Sequence, residues 1–235
     1  MPSRMRLAIL CITVTVFMSA CALTTPAAVR PTWAPESVAS AITTRSAEAQ
    51  VASGSQSYKL TVTASCHADE QLVGGGFDAS SVFEYALVQS TSYPANNGWT
   101  VKGDSISHYV LDAYAYCLRG EPSLGTHIVS GETCPAGNIA LSHGTADQGI
   151  VTLCAARHVT SMSRATAPIT LSSRENGYLS QSAHAVCPAG TIALNGDTTV
   201  GVTLASTATD AFAGWEIIAG GEGSGEVYAN CFTFA

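Results

Sequence analysis

Six cysteines set in a repeated frame constrain the fold of this chain more than any other feature of its sequence. The first, third and fifth of these cysteines each begin a similar stretch, which consists of a cysteine, a tight turn, a short apolar segment and a glycine-containing break. The three stretches read SCHADEQLVGGGFD (65–78), TCPAGNIALSHGTAD (133–147) and VCPAGTIALNGDTTV (186–200). An internal repeat of this kind predicts that one structural unit is built several times over.

The second half of the unit also repeats. GWTVKGDSISHYVLDAYAYCL (98–118) and GWEIIAGGEGSGEVYANCF (214–232) both run from Gly-Trp through a strand and a turn to an alternating strand that ends on cysteine. QGIVTLCA (148–155) is a truncated version of that ending. We therefore predict full modules at 57–119 and 178–235, with a shortened module at 125–177 between them.

The repeat selects one disulfide pattern among the fifteen that six cysteines allow. If each module is one unit, its first and last cysteines should pair. The predicted bridges are Cys66–Cys117, Cys134–Cys154 and Cys187–Cys231. A zinc site would need close pairs such as Cys-x-x-Cys, and no two of these cysteines are closer than 17 positions.

The strands around the cysteines alternate between apolar and polar residues. Leu60, Val62 and Ala64 share one face with Cys66, and Leu111, Ala113 and Ala115 share one face with Cys117; a period of two marks half-buried antiparallel strands. Asn-Gly pairs at 97–98, 176–177 and 195–196 are turn signals. The predicted fold is all-β, a disulfide-stapled antiparallel sandwich or a pseudo-threefold prism built from the repeats.

The N-terminus carries an export signal. Arg4 and Arg6 precede an apolar run from 7 to 20, which is shorter than the roughly 20 residues needed to cross a bilayer. Met18-Ser19-Ala20-Cys21 resembles the lipobox of bacterial lipoproteins. That resemblance implies that residues 1–20 are a signal peptide and that Cys21 carries a membrane-anchoring lipid. Ordinary signal cleavage after an A-x-A pattern, followed by secretion, stays open as the alternative.

Residues 21–56 are rich in Ala, Thr, Ser and Pro and show almost no apolar periodicity. We predict that they form a disordered linker between the lipid attachment site and a β domain at 57–235. Removing the leader lowers the formal charge of the chain from −7 to −9. A domain this acidic, with no basic run, is not expected to bind nucleic acid.

The Cys-Pro-Ala-Gly turn, the glycine-rich break, the Gly-Trp strand and the closing cysteine together resemble uncharacterised repeat domains of secreted bacterial proteins. The first copy departs from the pattern with Cys66-His67-Ala68-Asp69, and the middle copy lacks the Gly-Trp segment. The resemblance implies an extracytoplasmic module and supplies no catalytic residues.

Catalytic and metal-binding patterns are weak in this sequence. The histidines are scattered, a G-x-S-x-G nucleophile elbow is absent, and His67, Asp69 and Glu70 are interpreted as polar turn residues. A glycosidase would need two carboxylates brought together by folding. The candidates for such a pair are Asp104, Asp112, Asp197, Asp210 and Glu216. No cofactor and no metal is predicted.

Aromatic residues beside amides give the main binding hypothesis. SYPANNGW (92–99) places Tyr93, Asn96, Asn97 and Trp99 around a polar turn, and Trp215 follows Gly214 in the third module. Such groups could hold a sugar face; the alternative is that both tryptophans are core residues. We expect a non-enzymatic module that binds a glycan or a surface partner. A structural envelope protein without a small ligand is the alternative, and an extracellular hydrolase comes after it.

Overall fold

Antiparallel strands make up most of the described chain. A computed structural model describes residues 34–50, 58–79, 87–105, 109–174, 177–178 and 180–235. The predicted signal peptide and Cys21 lie outside these residues. The elements in the first half are α1 (Pro35–Ala41), β1 (Ile42–Gln50), β2 (Tyr58–Ser65), β3 (Glu70–Asp78), β4 (Leu87–Ala95), β5 (Gly98–Ser105), β6 (Val110–Arg119), β7 (Thr126–Ser130), β8 (Ile139–Ala146) and β9 (Gly149–Ala155).

Eight further strands and a short 3-10 helix complete the chain. They are β10 (Val159–Leu171), β11 (Ser173–Arg174), β12 (Gly177–Tyr178), β13 (Gln181–Val186), β14 (Ile192–Thr198), β15 (Val202–Ala208), the 3-10 helix Asp210–Phe212, β16 (Gly214–Gly220) and β17 (Gly223–Phe234). Among the described residues, no helix has the length and hydropathy required to cross a membrane.

One three-strand ladder occurs three times. Its strand orders are β1-β6-β3, β7-β9-β8 and β10-β17-β14, and every pairing within these ladders is antiparallel. A second ladder, β2-β5-β4 and its equivalent β13-β16-β15, occurs in the first and third modules. The second module, described throughout from 126 to 155, contains no counterpart of it: β8 and β9 are joined directly by a turn. The all-β, disulfide-stapled prediction is confirmed, and the repeats are visible in the strand order.

The three predicted disulfides are all present. Cys66–Cys117, Cys134–Cys154 and Cys187–Cys231 have Cα–Cα distances of 5.5, 5.8 and 5.6 Å. The second cysteine of each pair is fully buried on the middle strand of its ladder. The pairing therefore follows module order, as the repeat predicts.

A β-bulge marks the same place in each ladder. The register shifts at Val73, Leu141 and Leu194, one residue after the position that pairs with the buried cysteine. All three bulged side chains are at most 1% exposed. A bulge bends its strand and redirects a side chain, and here it places one large apolar residue from each module in the core.

The disordered-linker prediction for 21–56 is wrong for residues 35–50. This part forms α1 and then β1, which pairs with β6 along its whole length, from Ile42↔Leu118 to Gln50↔Val110. Val38 and Ile42 are buried, and alanines of β1 pack against the core. The composition does not predict β1 because small residues form its buried face. The strand is ordered by its hydrogen bonds to the edge of β6.

Strand pairing also moves a module boundary. The sequence repeat placed 159–171 in the shortened second module, but β10 pairs with β17 of the third. In the same way β1 pairs with β6 of the first module and β7 with β9 of the second. Each module therefore begins with the outer strand of its own ladder, a strand whose sequence does not repeat visibly.

A buried ion pair fastens β1 to the first module. Arg45 Nη2 donates to Glu70 Oε1 at 2.6 Å and Arg45 Nε donates to Glu70 Oε2 at 3.2 Å. The backbone N–H of His67 donates to the same carboxylate at 2.9 Å, and the Glu70 side chain is 1% exposed. The hydrogen bond from Arg45, with smaller contributions from His67, lowers the pKa of Glu70 to about 2. This carboxylate is therefore a structural anion and not a general acid.

The ion pair predicts how stability depends on acid. Because the folded-state pKa of Glu70 is depressed, its stabilising effect is complete above the ordinary value of 4.5 and is lost as the pH falls toward about 2. Glu70→Gln should lower the free energy of unfolding by about 1–3 kcal/mol at neutral pH and remove this part of the acid dependence. Denaturant titrations across that pH range measure both effects.

The exposed Glu132 provides the matched control. Glu132→Gln should leave the acid dependence of unfolding as it is in the wild type. Parallel pH profiles for the wild type and Glu70→Gln would contradict the assignment of the acid-sensitive ion pair.

Candidate functional site

Both tryptophans of the aromatic hypothesis lie in the core. Trp99 is 3% exposed and Trp215 is 1% exposed. Each indole nitrogen donates to a serine on the neighbouring strand: Trp99 Nε1 to Ser92 Oγ at 2.6 Å, and Trp215 Nε1 to Ser206 Oγ at 2.8 Å. The two arrangements are equivalent in the first and third modules. The interpretation of these rings as an exposed sugar platform is wrong.

Glycine makes room for each indole. A Cβ on Gly75 would lie 2.2 Å from the Trp99 ring, and a Cβ on Gly196 would lie 2.4 Å from the Trp215 ring. Both glycines follow the bulge of their strand by two residues. The Gly-rich breaks of the repeats are therefore sockets for the Gly-Trp strands, which explains why the two sequence features occur together.

The remaining residues of the aromatic hypothesis do not form one face with Trp99. The register pairs Tyr93 with Thr100, so Tyr93 and Trp99 point to opposite sides of the β4–β5 hairpin. Asn97 holds the hairpin to the loop after Cys66 and to β3, because its Nδ2 donates to His67 O at 3.2 Å and its Oδ1 accepts from Leu72 N at 3.0 Å. Asn96 occupies the turn with a φ of 54°. Asn96 and Asn97 also border a small cavity of about 330 Å³.

Burial predicts that the tryptophans stabilise the fold. Trp99→Ala and Trp215→Ala should each lower the free energy of unfolding by about 3–5 kcal/mol, since each leaves a large cavity and removes the indole donor from a serine hydroxyl. Tyr93→Ala, at a half-buried position, is the control and should cost less. Thermal and denaturant unfolding measure the difference, and an unchanged melting temperature in either tryptophan variant would contradict the core assignment.

A larger cavity lies between the modules. Its volume is about 540 Å³. The wall is formed by β3, β4 and β5 of the first module, β8 of the second, and β14, β15 and β17 of the third. The lining residues that carry the argument below are His143, Asn195, Asp197, Tyr228 and Asn230. We call this space the inter-module cavity.

Comparison of the three ladders shows what is special about this cavity. Two residues after the bulge, the first and third modules have Gly75 and Gly196, whereas the second has His143. Three residues after the bulge, the first and second modules have Gly76 and Gly144, whereas the third has Asp197. Of each set of three equivalent positions, two hold glycine and one holds an ionisable side chain.

The close approach of another strand explains the glycines. A Cβ on Gly76 would lie 2.1 Å from Ser206 O, and a Cβ on Gly144 would lie 1.9 Å from Ser92 O. These carbonyls belong to β15 and β4, the outer strands of the second ladder. The second module has no such ladder, so the equivalent position in the third module has room for a side chain. Asp197 therefore lines an open space, whereas a neighbouring strand closes the equivalent positions at Gly76 and Gly144.

A chain of buried amides forms part of the cavity wall. Asn230 Nδ2 donates to Asn195 Oδ1, and Asn195 Nδ2 donates to Leu141 O at 2.7 Å. Asn230 is 5% exposed, and no described residue donates to its Oδ1; the 1%-exposed Ser142 Oγ likewise has no partner among described residues. A buried acceptor without a donor costs about 1–3 kcal/mol. The wall thus holds unused hydrogen-bonding capacity.

The electrostatics of the cavity centre on Asp197. Burial by the surrounding walls raises the pKa of its carboxyl group, although the side chain stays accessible through the cavity mouth. Hydrogen bonds from Thr198 N and Thr203 Oγ1 and the nearby His143 act in the opposite direction. Burial and the charge of Asp197 also raise the pKa of Tyr228. These groups form one interacting set around the open space.

The five carboxylates considered from sequence do not meet in the inter-module cavity. Of the five carboxylates considered from sequence, Asp197 alone is among the described lining residues. Ser206 donates to Gly196 O at 3.2 Å and accepts from Trp215, so it is not activated by a histidine. The cluster of Cys66, Glu70 and Cys117 has metal-ligand geometry, but its sulfurs form a disulfide.

Sequence reasoning missed His143, Asn195 and Asn230 and treated Asp197 only as a possible glycosidase carboxylate. One signal in the sequence could have identified His143 and Asp197. Each stands where the two other aligned repeats have glycine, and such an exception marks a contact between modules that is built differently. Comparison with known proteins adds no assignment, because no protein-family model and no curated protein matches this chain.

Proposed function

We propose that this chain is an extracytoplasmic, non-enzymatic module that binds a glycan in the inter-module cavity. The three disulfides indicate an oxidising, extracytoplasmic environment. The observation that carries the proposal is an accessible cavity of about 540 Å³ whose lining brings His143, Asp197 and Tyr228 together. The side chains of these residues are exposed or half-buried and offer hydrogen-bond partners to the hydroxyls of a ligand.

Cavity size and chemistry favour a hydrophilic ligand. About 540 Å³ falls within the 300–1,000 Å³ typical of small-molecule pockets. Carboxylate, imidazole, phenol and amide groups line it, and these are the partners that the hydroxyls of a sugar use. Trp99 and Tyr228 both line the cavity. Trp99 is 3% exposed, so the half-buried Tyr228 offers the larger aromatic surface to a ligand.

Restoring glycine at the exceptional positions tests the proposal. His143→Gly and Asp197→Gly introduce the residue that the other two modules have at the equivalent position. Both side chains are exposed, so the fold should persist. A glycan array on the full-length protein identifies a retained glycan, and each variant should bind it at least about tenfold more weakly. Asp210→Gly, at an exposed position outside the cavity lining, is the control.

Two outcomes would contradict the proposal. One is an array on which no glycan is retained. The other is binding that both glycine variants leave unchanged while their melting temperatures stay at the wild-type value. Either result would favour the second candidate function, a structural envelope protein without a small ligand, which the burial of both tryptophans supports.

We also propose that Cys21 carries a lipid and anchors the module to a membrane. The support is the lipobox-like Met18-Ser19-Ala20-Cys21. Twelve residues, 22–33, separate Cys21 from Ala34, where the described chain begins.

The anchor is tested by Cys21→Ser. The variant should be released into the medium or persist as an uncleaved precursor, while the wild type should fractionate with membranes. Intact mass of the membrane-extracted protein should show the mass of a diacylglycerol adduct at the N-terminus. A mature chain that begins at Leu23 without an adduct would contradict lipidation and leave secretion as the explanation.

A further inference from the structure

We infer that β1 is fastened to β6 by a pH-sensitive contact: facing carboxylates loosen the C-terminal half of β1 at neutral pH, and acid tightens it. We call α1 and β1 together the strap. When its C-terminal half opens, it uncovers the hydrogen-bonding edge of β6 that residues 47–50 otherwise cover. The carboxylates concerned, Glu48, Asp78 and Asp112, are outside the described lining of the inter-module cavity, so this device is independent of the proposed glycan binding.

Three carboxylates form one row across adjacent strands. Glu48 of β1 is directly opposite Asp112 of β6, and Asp112 is directly opposite Asp78 of β3. Directly opposite residues of antiparallel strands have Cβ atoms about 4.5–5.5 Å apart, and like charges at that spacing destabilise the pairing. The repulsion between Glu48 and Asp112 therefore acts across the contact that holds the strap to β6.

The row lies on the outward face of the sheet. Asp112 and Tyr114 are half-buried and alternate along β6 with residues that are fully buried. Glu48 is exposed and alternates along β1 with half-buried residues. The described titratable groups that share this face with Asp112 are therefore Glu48 from β1, Asp78 from β3 and Tyr114 from β6 itself.

The other described elements around β6 do not offset this negative charge. Arg45 of β1 is engaged with Glu70, and Lys59 of β2 lies 3.6 Å from Asp104 of β5 in a separate ion pair. The ionisable residue of α1 is Glu36, another carboxylate. β15, which extends the sheet beyond β3, contains no ionisable residue.

The two halves of the strap are held with different strength. Val38 and Ile42 are buried in the core, and Arg45 makes the buried ion pair with the first module. Beyond Arg45 the inward-facing residues are Ala47 and Ala49, which are small and half-buried. Segments with little buried apolar surface open first in a folded protein, so the C-terminal half opens while the N-terminal half stays attached.

The titration of Asp112 sets the direction of the effect. Burial, followed by the charges of Glu48 and Asp78, raises the pKa of Asp112 above its ordinary value of 3.8. Burial and the charges of Asp112 and Asp78 likewise raise the pKa of Tyr114 to about 12. A raised carboxyl pKa means that the folded state binds the proton more tightly, so the pairing strengthens as the pH falls from neutral and the gain is complete below 3.8. This sign is opposite to that of Glu70.

Backbone hydrogen exchange of the full-length protein in low-salt buffer measures the opening. Protection factors, which correct for the intrinsic pH dependence of exchange, are compared at about pH 7.5 and about pH 4.5, above the range in which the Glu70 ion pair is lost. We expect the protection of residues 47–50 to rise about two- to fivefold on acidification, while that of residues 42–45 does not rise. Because salt screens charges at this spacing, about 1 M sodium chloride should reduce the rise.

Matched variants separate the facing pair from the overall charge of the protein. Asp112→Asn keeps the size of the side chain and should give residues 47–50 their acid-level protection already at neutral pH. Glu48→Lys places a cation opposite Asp112 and should reverse the sign, so that protection falls on acidification. Glu132→Gln removes a charge from an exposed position outside the strap and should keep the wild-type profile.

Three results would overturn the inference. The first is equal protection of residues 47–50 at both pH values in the wild type. The second is a rise that persists unchanged in Asp112→Asn, because another group would then be titrating. The third is an equal rise at residues 42–45 and 47–50, which would show a change in global stability and not a local opening of the strap.

Discussion

The packing of this protein depends on one repeated constraint, a disulfide that joins the loop before a bulged strand to the middle strand of its ladder. In each module the buried cysteine is paired across the ladder with the residue just before the bulge: Leu72↔Cys117, Ala140↔Cys154 and Ala193↔Cys231. The bridge therefore holds the loop before the bulged strand against the middle strand, close to the point at which the bulged strand bends. The bulged Val73, Leu141 and Leu194 then enter the core from three directions.

Glycine determines how the second ladders pack onto this centre. Gly75 and Gly196 accept an indole from their own module, while Gly76 and Gly144 accept a backbone carbonyl from a neighbouring one. Contacts this close tolerate no Cβ. The shortened second module breaks the pattern, since it supplies neither an indole nor a carbonyl. The inter-module cavity is thus a consequence of asymmetry among repeats, and polar side chains line it.

The fold and the site make opposite use of buried polar groups. Glu70 is fully paired with Arg45 and the loop backbone, and such pairing stabilises the attachment of β1. In the cavity wall, by contrast, the amide chain ends on an unpaired oxygen. An unpaired buried acceptor of this kind lowers stability. The full pairing of Glu70 is the physical reason for assigning the acidic turn after Cys66 a structural role.

The sequence by itself determined the parts that are local or periodic: all-β structure from the two-residue alternation, and the three disulfides from the order of the repeats. Tertiary structure decided the rest. β1 was missed because alanines and threonines form a strand there only against the edge of β6. Trp99 and Trp215 were placed in the core by glycine sockets on other strands. His143, Asp197 and Asn230 are distant in sequence and share a cavity only because a ladder is absent between them. The site depends on packing between residues that are distant in sequence, and a local sequence pattern cannot predict such packing.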